Sequence, residues 1–208
     1  MRYHLLNPAE FWTPVPLPSV AFNERIYVNA PRDNWGGQPQ GLTYQRAIRA
    51  LENYGHYAEV SLLGDKFIKL IIQNKFKFWS QFDATTGVAP GLTPGVYGPS
   101  ILAALEYISR MHGIHLDVVN DQVWWSALAD SQDFTYTQRW GDRRWTFAGE
   151  KGKFRALLNG RELFSCSAGC RVVTGLERNV REVVGIDPSK QSVKLSAGGV
   201  QYKWVFPS

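Results

Sequence analysis

The chain has 208 residues, is 44% hydrophobic and 20% charged, and carries a formal net charge of +5. That supplies apolar material for one ordinary domain or two small ones and excludes a disordered tail. No window comes near the roughly 18 uninterrupted apolar residues of a helical membrane span.

Residues 1–41 contain Pro8, Pro14, Pro16, Pro18, Pro31 and Pro39, each of which removes a backbone donor and disfavours helix before it. Phe11, Trp12, Val15, Leu17, Val20 and Phe22 make the stretch apolar as well, so it is predicted to be an irregular, extended wrap lying on a surface. Its opening, MRYHLLNPAEFWTPVPLP, lacks the basic start and apolar middle of a signal peptide, and nothing in the chain names a compartment.

From Gly41 the rhythm becomes helical. Leu42, Ala47, Ile48, Leu51 and Tyr54 form a stripe that Gly55 ends. A second helix is predicted over about Tyr57–Phe78, with Val60, Leu63, Phe67, Leu70, Ile71, Asn74 and Phe78 on one face. The Gly- and Pro-rich DATTGVAPGLTPGVYGPS is predicted to be a loop, and a third helix runs from about Pro99 to His112.

Beyond about Val123 the pattern alternates. FTYTQRW, RWTFAG, FRALLNG, RELFSCSAG, RVVTG, REVVGI, SVKLSAGG and VQYKWVF read as short strands separated by Gly, Asn or Asp-Pro turns. The expected organisation is therefore helical over 1–122 and a small antiparallel β domain over 123–208. The helices look too few to bury their own apolar faces, which predicts one part of a larger helical assembly.

Charge follows the same division. Residues 1–122 hold 10 basic against 10 acidic side chains, and residues 123–208 hold 13 against 8. Arg139, Arg143, Arg144, Arg155, Arg161, Arg171, Arg178 and Arg181 are scattered among apolar residues, which predicts the solvent face of strands rather than a nucleic-acid stripe. Cys166 and Cys170 exclude a disulfide-stapled mini-protein and a four-cysteine zinc site. They read either as a bonded pair or as two small buried hydrophobes. His4, His56, His112 and His115 form no ligand set with them, so neither metal nor cofactor is expected. Eight Trp in a chain with 13% aromatics serve large cores or flat platforms for ring-shaped ligands, sugars included.

Three strings carry a resemblance: DNWGGQPQGLTYQRAIRALENYGHYAEVSLL (Asp33–Leu63), FWSQFDATTG (Phe78–Gly87) and GVYGPSILAALEYI (Gly95–Ile108). In this order they resemble the C-terminal part of the (α/α)6-barrel glycosidases, the trehalase, family 63 glucosidase and mannosylglycerate hydrolase-like group. The resemblance implies an α+β chain: a partial (α/α)6 toroid of antiparallel helical hairpins, then a small antiparallel β-sheet domain. It implies inverting hydrolysis of an oligosaccharide or disaccharide, with two carboxyl groups roughly 6.5–9.5 Å apart. It also implies a partner, either the other half of the barrel or another copy of the chain; the charge placement and hydropathy above lead to the expectation of neither nucleic acid nor membrane.

Carried over residue by residue, the family's base glutamate falls at Ser80, and serine has no proton-accepting form near neutral pH. Asp83 either replaces that base or caps the Thr85–Thr86–Gly87 turn through its side chain. Trp35, Gln38, Trp79 and Tyr97 are the expected sugar contacts, with core packing the alternative for the two tryptophans and an ordinary exposed amide the alternative for Gln38. The matched acid is absent, so the chain by itself is expected to be inactive; the alternative is a non-catalytic carbohydrate-binding or subunit-interaction protein.

Overall fold

The computed structural model describes residues 3–29, 36–89, 95–128, 133–177, 179–190 and 192–206. The described elements are three helices, α1 (Gly41–Glu52), α2 (Tyr57–Gln73) and α3 (Gly98–His112), followed by ten strands. The chain divides into two compact units, residues 1–55 with 62–107, and residues 56–61 with 108–208.

The first unit is organised by aromatic rings. Tyr44 of α1 stacks on Phe67 of α2 with centroids 4.5 Å apart, and Tyr107 of α3 lies 6.0 Å from the same ring. Phe82, from the segment between α2 and α3, closes the cluster edge-on at 6.3 Å. All four side chains are fully buried. The Tyr107 hydroxyl donates to the Tyr44 carbonyl at 3.0 Å, which ties α3 to α1. The proline-rich start forms turns and bends against this core, with Val15 and Leu17 buried and the Val15 amide bonded to the Ala84 carbonyl.

Helix α2 stops at Gln73, short of the predicted Phe78. Lys75 and Phe76 take left-handed φ values of 57° and 58°, and the Phe76 amide returns to the Ile71 carbonyl. Asn74 holds the turn, its side-chain amide donating to the Leu70 and Gly87 carbonyls at 2.9 Å each. Phe78 is thereby released from the helix into extended chain.

The second unit is a β-sandwich. One sheet has the order β1-β2-β7-β8, built from β1 (Gly113–Asp117), β2 (Gln122–Ala127), β7 (Cys170–Thr174) and β8 (Val180–Gly185). The other has the order β10-β9-β6-β5-β4-β3, from β3 (Phe134–Trp140), β4 (Arg143–Glu150), β5 (Lys153–Leu158), β6 (Arg161–Ser167), β9 (Ser192–Ala197) and β10 (Val200–Val205). All neighbouring pairs are antiparallel. Asn159-Gly160 and Gly198-Gly199 make two-residue hairpins with positive φ at both positions, the turn whose twist suits flanking strands.

The period of two along the strands sends Trp145, Phe147, Phe154, Phe164, Val193 and Leu195 of the larger sheet to meet Trp125, Val172 and Val183 of the smaller. Trp125 sits at the centre, 5.8 Å from Phe147 and 5.7 Å from Phe164. Cys166 and Cys170 are free, buried thiols in this core. Hydrogen bonding to Cys170, together with burial, pushes the Cys166 thiol well above its ordinary range.

Two expectations are corrected here. The partial (α/α)6 toroid is not formed: among the described residues there are only three helices against ten strands in two antiparallel sheets, so the fold is sheet-rich. The physical reason is that the three helices direct Tyr44, Phe67 and Tyr107 to one common centre, which Phe82 then plugs. They close a core of their own, although α3 keeps Leu102 and Leu105 exposed. Arg171, expected on a solvent face, is buried instead. Its guanidinium lies 4.8 Å over the Trp124 ring and 5.2 Å over Tyr57, and its Nε donates to the Ser126 hydroxyl at 3.1 Å. Stacking between flat rings is what lets a charged side chain sit there.

Candidate functional site

The described parts of the three glycosidase-like strings lie in the first unit except for His56–Ser61 and Ile108, which belong to the second. The extended chain from Phe78 to Phe82 is flanked by two others. On one side Gln40 pairs antiparallel with Gln81, the Gly41 amide donates to the Ser80 carbonyl and the Phe82 amide to the Pro39 carbonyl. On the other side the Phe78 amide donates to the Gly95 carbonyl and the Tyr97 amide to the Phe78 carbonyl at 2.7 Å. Gln38, Trp79, Ser80 and Tyr97 thus lie on neighbouring segments, while Trp35 lies outside the described residues.

The chemistry at this place is not that of an acid–base pair. Ser80 is half-buried and offers no carboxylate. Gln38 is 2% exposed, and its Oε1 and the Nε2 of Gln40 make no hydrogen bond to a described residue. Trp79 is half-buried, with the Lys77 ammonium 5.8 Å over its ring.

Asp83 is occupied by its own loop. Oδ1 accepts from the Thr85 and Thr86 amides at 2.9 and 2.7 Å, and Oδ2 accepts from the Asn29 side-chain amide at 2.7 Å. Partial burial pushes this carboxyl up, but the hydrogen bonds from Thr86, Thr85 and Asn29 outweigh it and hold it below the usual carboxylate range. A general base works best near the operating pH, and Asp83 is moved the other way. Burial, with the Asp83 charge beside it, pushes the Tyr27 phenol up to about 12, so that group stays protonated.

The second unit holds a concavity that sequence reasoning missed. At its open edge the larger sheet carries β10, where Tyr202 and Trp204 are 46% and 41% exposed. Two residues apart on one strand, they point to the same face. They stand opposite Leu195 and Val193 of β9, so that face is the core side of the sheet. Both rings line a cleft of about 590 Å³ whose other walls include Leu163, Val180, Arg161, Glu162 and Asn179. The signal available in the sequence was the alternation in VQYKWVF; that the core-side face of this strand would stay exposed was not readable from it.

Among the described residues no three His, Cys, Asp or Glu side chains gather into a metal site. No helix is long and apolar enough to cross a membrane. The sequence matches no protein-family model and no curated protein.

Proposed function

We propose that this chain binds carbohydrate without hydrolysing it, through the cleft beside β10. The observation that carries this reading is the pair Tyr202 and Trp204, two half-exposed rings on one face of one strand, with Arg161, Glu162 and Asn179 around the same hollow. A sugar ring offers C–H faces that lie on aromatic rings, and hydroxyls that need donors and acceptors at the rim. The cleft supplies both.

The glycosidase-like strings favour a saccharide as ligand but not turnover. Ser80 stands where the resemblance requires a carboxylate, and Asp83 is held by its own turn. Hydrolysis with inversion needs two carboxyl groups across the scissile bond.

Calorimetric titration with neutral oligosaccharides of glucose, mannose and xylose tests the reading, with tryptophan fluorescence as a second signal. Saturable binding that Trp204→Ala removes, with folding intact and no reducing sugar released, is the expected result. Absence of saturable binding to all three series, or binding unaffected by both Trp204→Ala and Tyr202→Ala, would overturn it.

A further inference from the structure

The outer face of the larger sheet gathers the charge that looks scattered along the sequence. Phe154 and Ala156 of β5, Phe164 and Cys166 of β6, and Val193 and Leu195 of β9 point into the sandwich. Their neighbours Lys153, Arg155, Ser165, Ser167, Lys194 and Ser196 therefore point out. The register aligns them in two rows. Lys153 stands opposite Ser167 across β5–β6, and Lys194 opposite Lys203 across β9–β10. Ser167 and Lys194 are joined directly, the Lys194 amide donating to the Ser167 hydroxyl oxygen at 2.9 Å. In the next row Arg155 faces Ser165, Ser165 faces Ser196, and Ser196 faces Gln201.

The strands run β10-β9-β6-β5, so these rows cross four neighbouring strands, a span of roughly 14 Å at ordinary strand spacing. Lys153, Arg155, Lys194 and Lys203 are all exposed, and no ion pair to any of them is found among the described residues. On the β5 side Asp133, Glu150 and Glu162 share one concavity with Lys153 and Arg155, so the cations with no carboxylate in their own trough are Lys194 and Lys203 of β9 and β10. Glu150, opposite Lys153 at the hairpin end, has its carboxylate 3.8 Å from Lys151, and Glu162 lies opposite Leu157, beyond Arg155. Ser165, Ser167, Lys194, Ser196, Gln201 and Lys203 line a shallow trough of about 620 Å³.

We infer that this outer face binds an acidic polysaccharide, one bearing uronate or sulfate groups. Cations set one or two strands apart match negative charges repeating along an extended glycan. Serine hydroxyls and the Gln201 amide between them suit a chain that is itself rich in hydroxyls. Single-stranded nucleic acid needs a series of stacking rings between the cations, and Tyr202, at the edge of the trough, is the one aromatic residue among its described lining. Insertion into a membrane needs apolar side chains, and these two rows offer none; attraction to anionic headgroups alone is what the vesicles test for. The inference rests on the charge rows alone; Tyr202 borders both the trough and the neutral-sugar cleft, but Trp204 lines the cleft only, so Trp204→Ala separates the two readings.

The full chain is passed over immobilised polygalacturonate, heparin and neutral dextran, with a DNA duplex and phosphatidylserine vesicles as further surfaces. Retention on polygalacturonate or heparin, lost on raising salt, is expected, with none on dextran through this face. The double variant K194Q/K203Q weakens retention about tenfold, the scale of two lost screened ion contacts. K66Q, a lysine of the first unit, and Trp204→Ala leave it unchanged. Thermal melting of the double variant checks that the sheet is intact. Tighter binding to DNA or vesicles than to either acidic glycan, no salt-sensitive retention, or full retention by the folded double variant would overturn the inference.

Discussion

The Ser100 hydroxyl donates to the Trp79 carbonyl at 2.6 Å, pinning the start of α3 to the extended chain that carries Ser80. Gly41 sits against the same hydroxyl: a Cβ built there would lie 1.8 Å from Ser100 Oγ. First helical turn, extended segment and third helix therefore meet at one point with no spare volume.

Substituting that glycine is expected to be costly. Gly41→Ala forces Ser100 out of its rotamer and its hydrogen bond, and should destabilise by about 2–4 kcal/mol. Ser100→Ala loses only the bond and leaves a buried carbonyl, about 1–2 kcal/mol. The double variant G41A/S100A should recover part of the G41A loss, because the nearest atom is gone while Cβ and Cα of residue 100, at 2.9 and 3.1 Å from the added Cβ, still crowd it. Urea denaturation of the three variants checks the order.

Asp83 gives a pH signature. Its folded-state carboxyl titrates below the unfolded value of about 3.9, so its stabilisation is complete above that value and fades as pH falls through the lower, folded one. Asp83→Asn replaces a charged acceptor by an amide and should cost about 1–2 kcal/mol at neutral pH. The gap between wild type and variant is expected to be flat from pH 5 to 8 and to shrink below about pH 4. Melting temperatures across that range measure it.

The two central tryptophans of the sandwich should respond differently to phenylalanine. The Trp125 indole N–H donates to the Thr174 hydroxyl at 3.0 Å, and Thr174 is fully buried. The Trp145 indole N–H has no hydrogen-bond partner among the described residues. Both substitutions lose similar volume, but only Trp125→Phe strands a buried hydroxyl, so it should cost about 1–2 kcal/mol more. Equal losses in chemical denaturation would show that Trp145 is bonded after all.

Arg171→Lys tests the stacked guanidinium. A lysine keeps the charge but neither the plane nor the Nε donor to Ser126, and should destabilise by about 2–4 kcal/mol. Arg155→Lys, on the exposed face of β5, should change stability by less than about 0.5 kcal/mol. A chemical-denaturation comparison of the pair reports the difference.

Much of the local structure was legible because its causes are local. Asn159-Gly160 and Gly198-Gly199 specify hairpins through backbone conformation alone, and the alternation in RWTFAG and SVKLSAGG names the buried face of each strand. The start of α3 was legible for the same kind of reason, Pro99 being suited to a first turn. The apolar periodicity around Phe78 suggested more helix than exists, since the left-handed turn at Lys75 and Phe76 depends on Asn74 reaching Gly87, thirteen residues on. Gln122–Ala127 carries no clear alternation because it is a central strand, paired with β1 on one side and with the distant β7 on the other, whereas Gly113–Asp117 pairs only with its neighbour β2.

The placement of charge and rings shows where local reasoning stops. Lys153, Arg155, Lys194 and Lys203 are separated by up to fifty residues, and only the strand order β10-β9-β6-β5 sets them side by side. Arg171 and Arg155 each have an apolar residue on both sides, yet one is buried between rings and the other faces water. The residues by themselves determined which stretches bend, which turn and which alternate, because those choices depend on φ preferences and on side chains a few positions apart. Whether the helices would form part of a ring or close on Tyr44, Phe67 and Tyr107 was decided by tertiary packing, because enclosing an aromatic centre requires groups that the chain holds far apart. The same packing left both faces of β10 exposed.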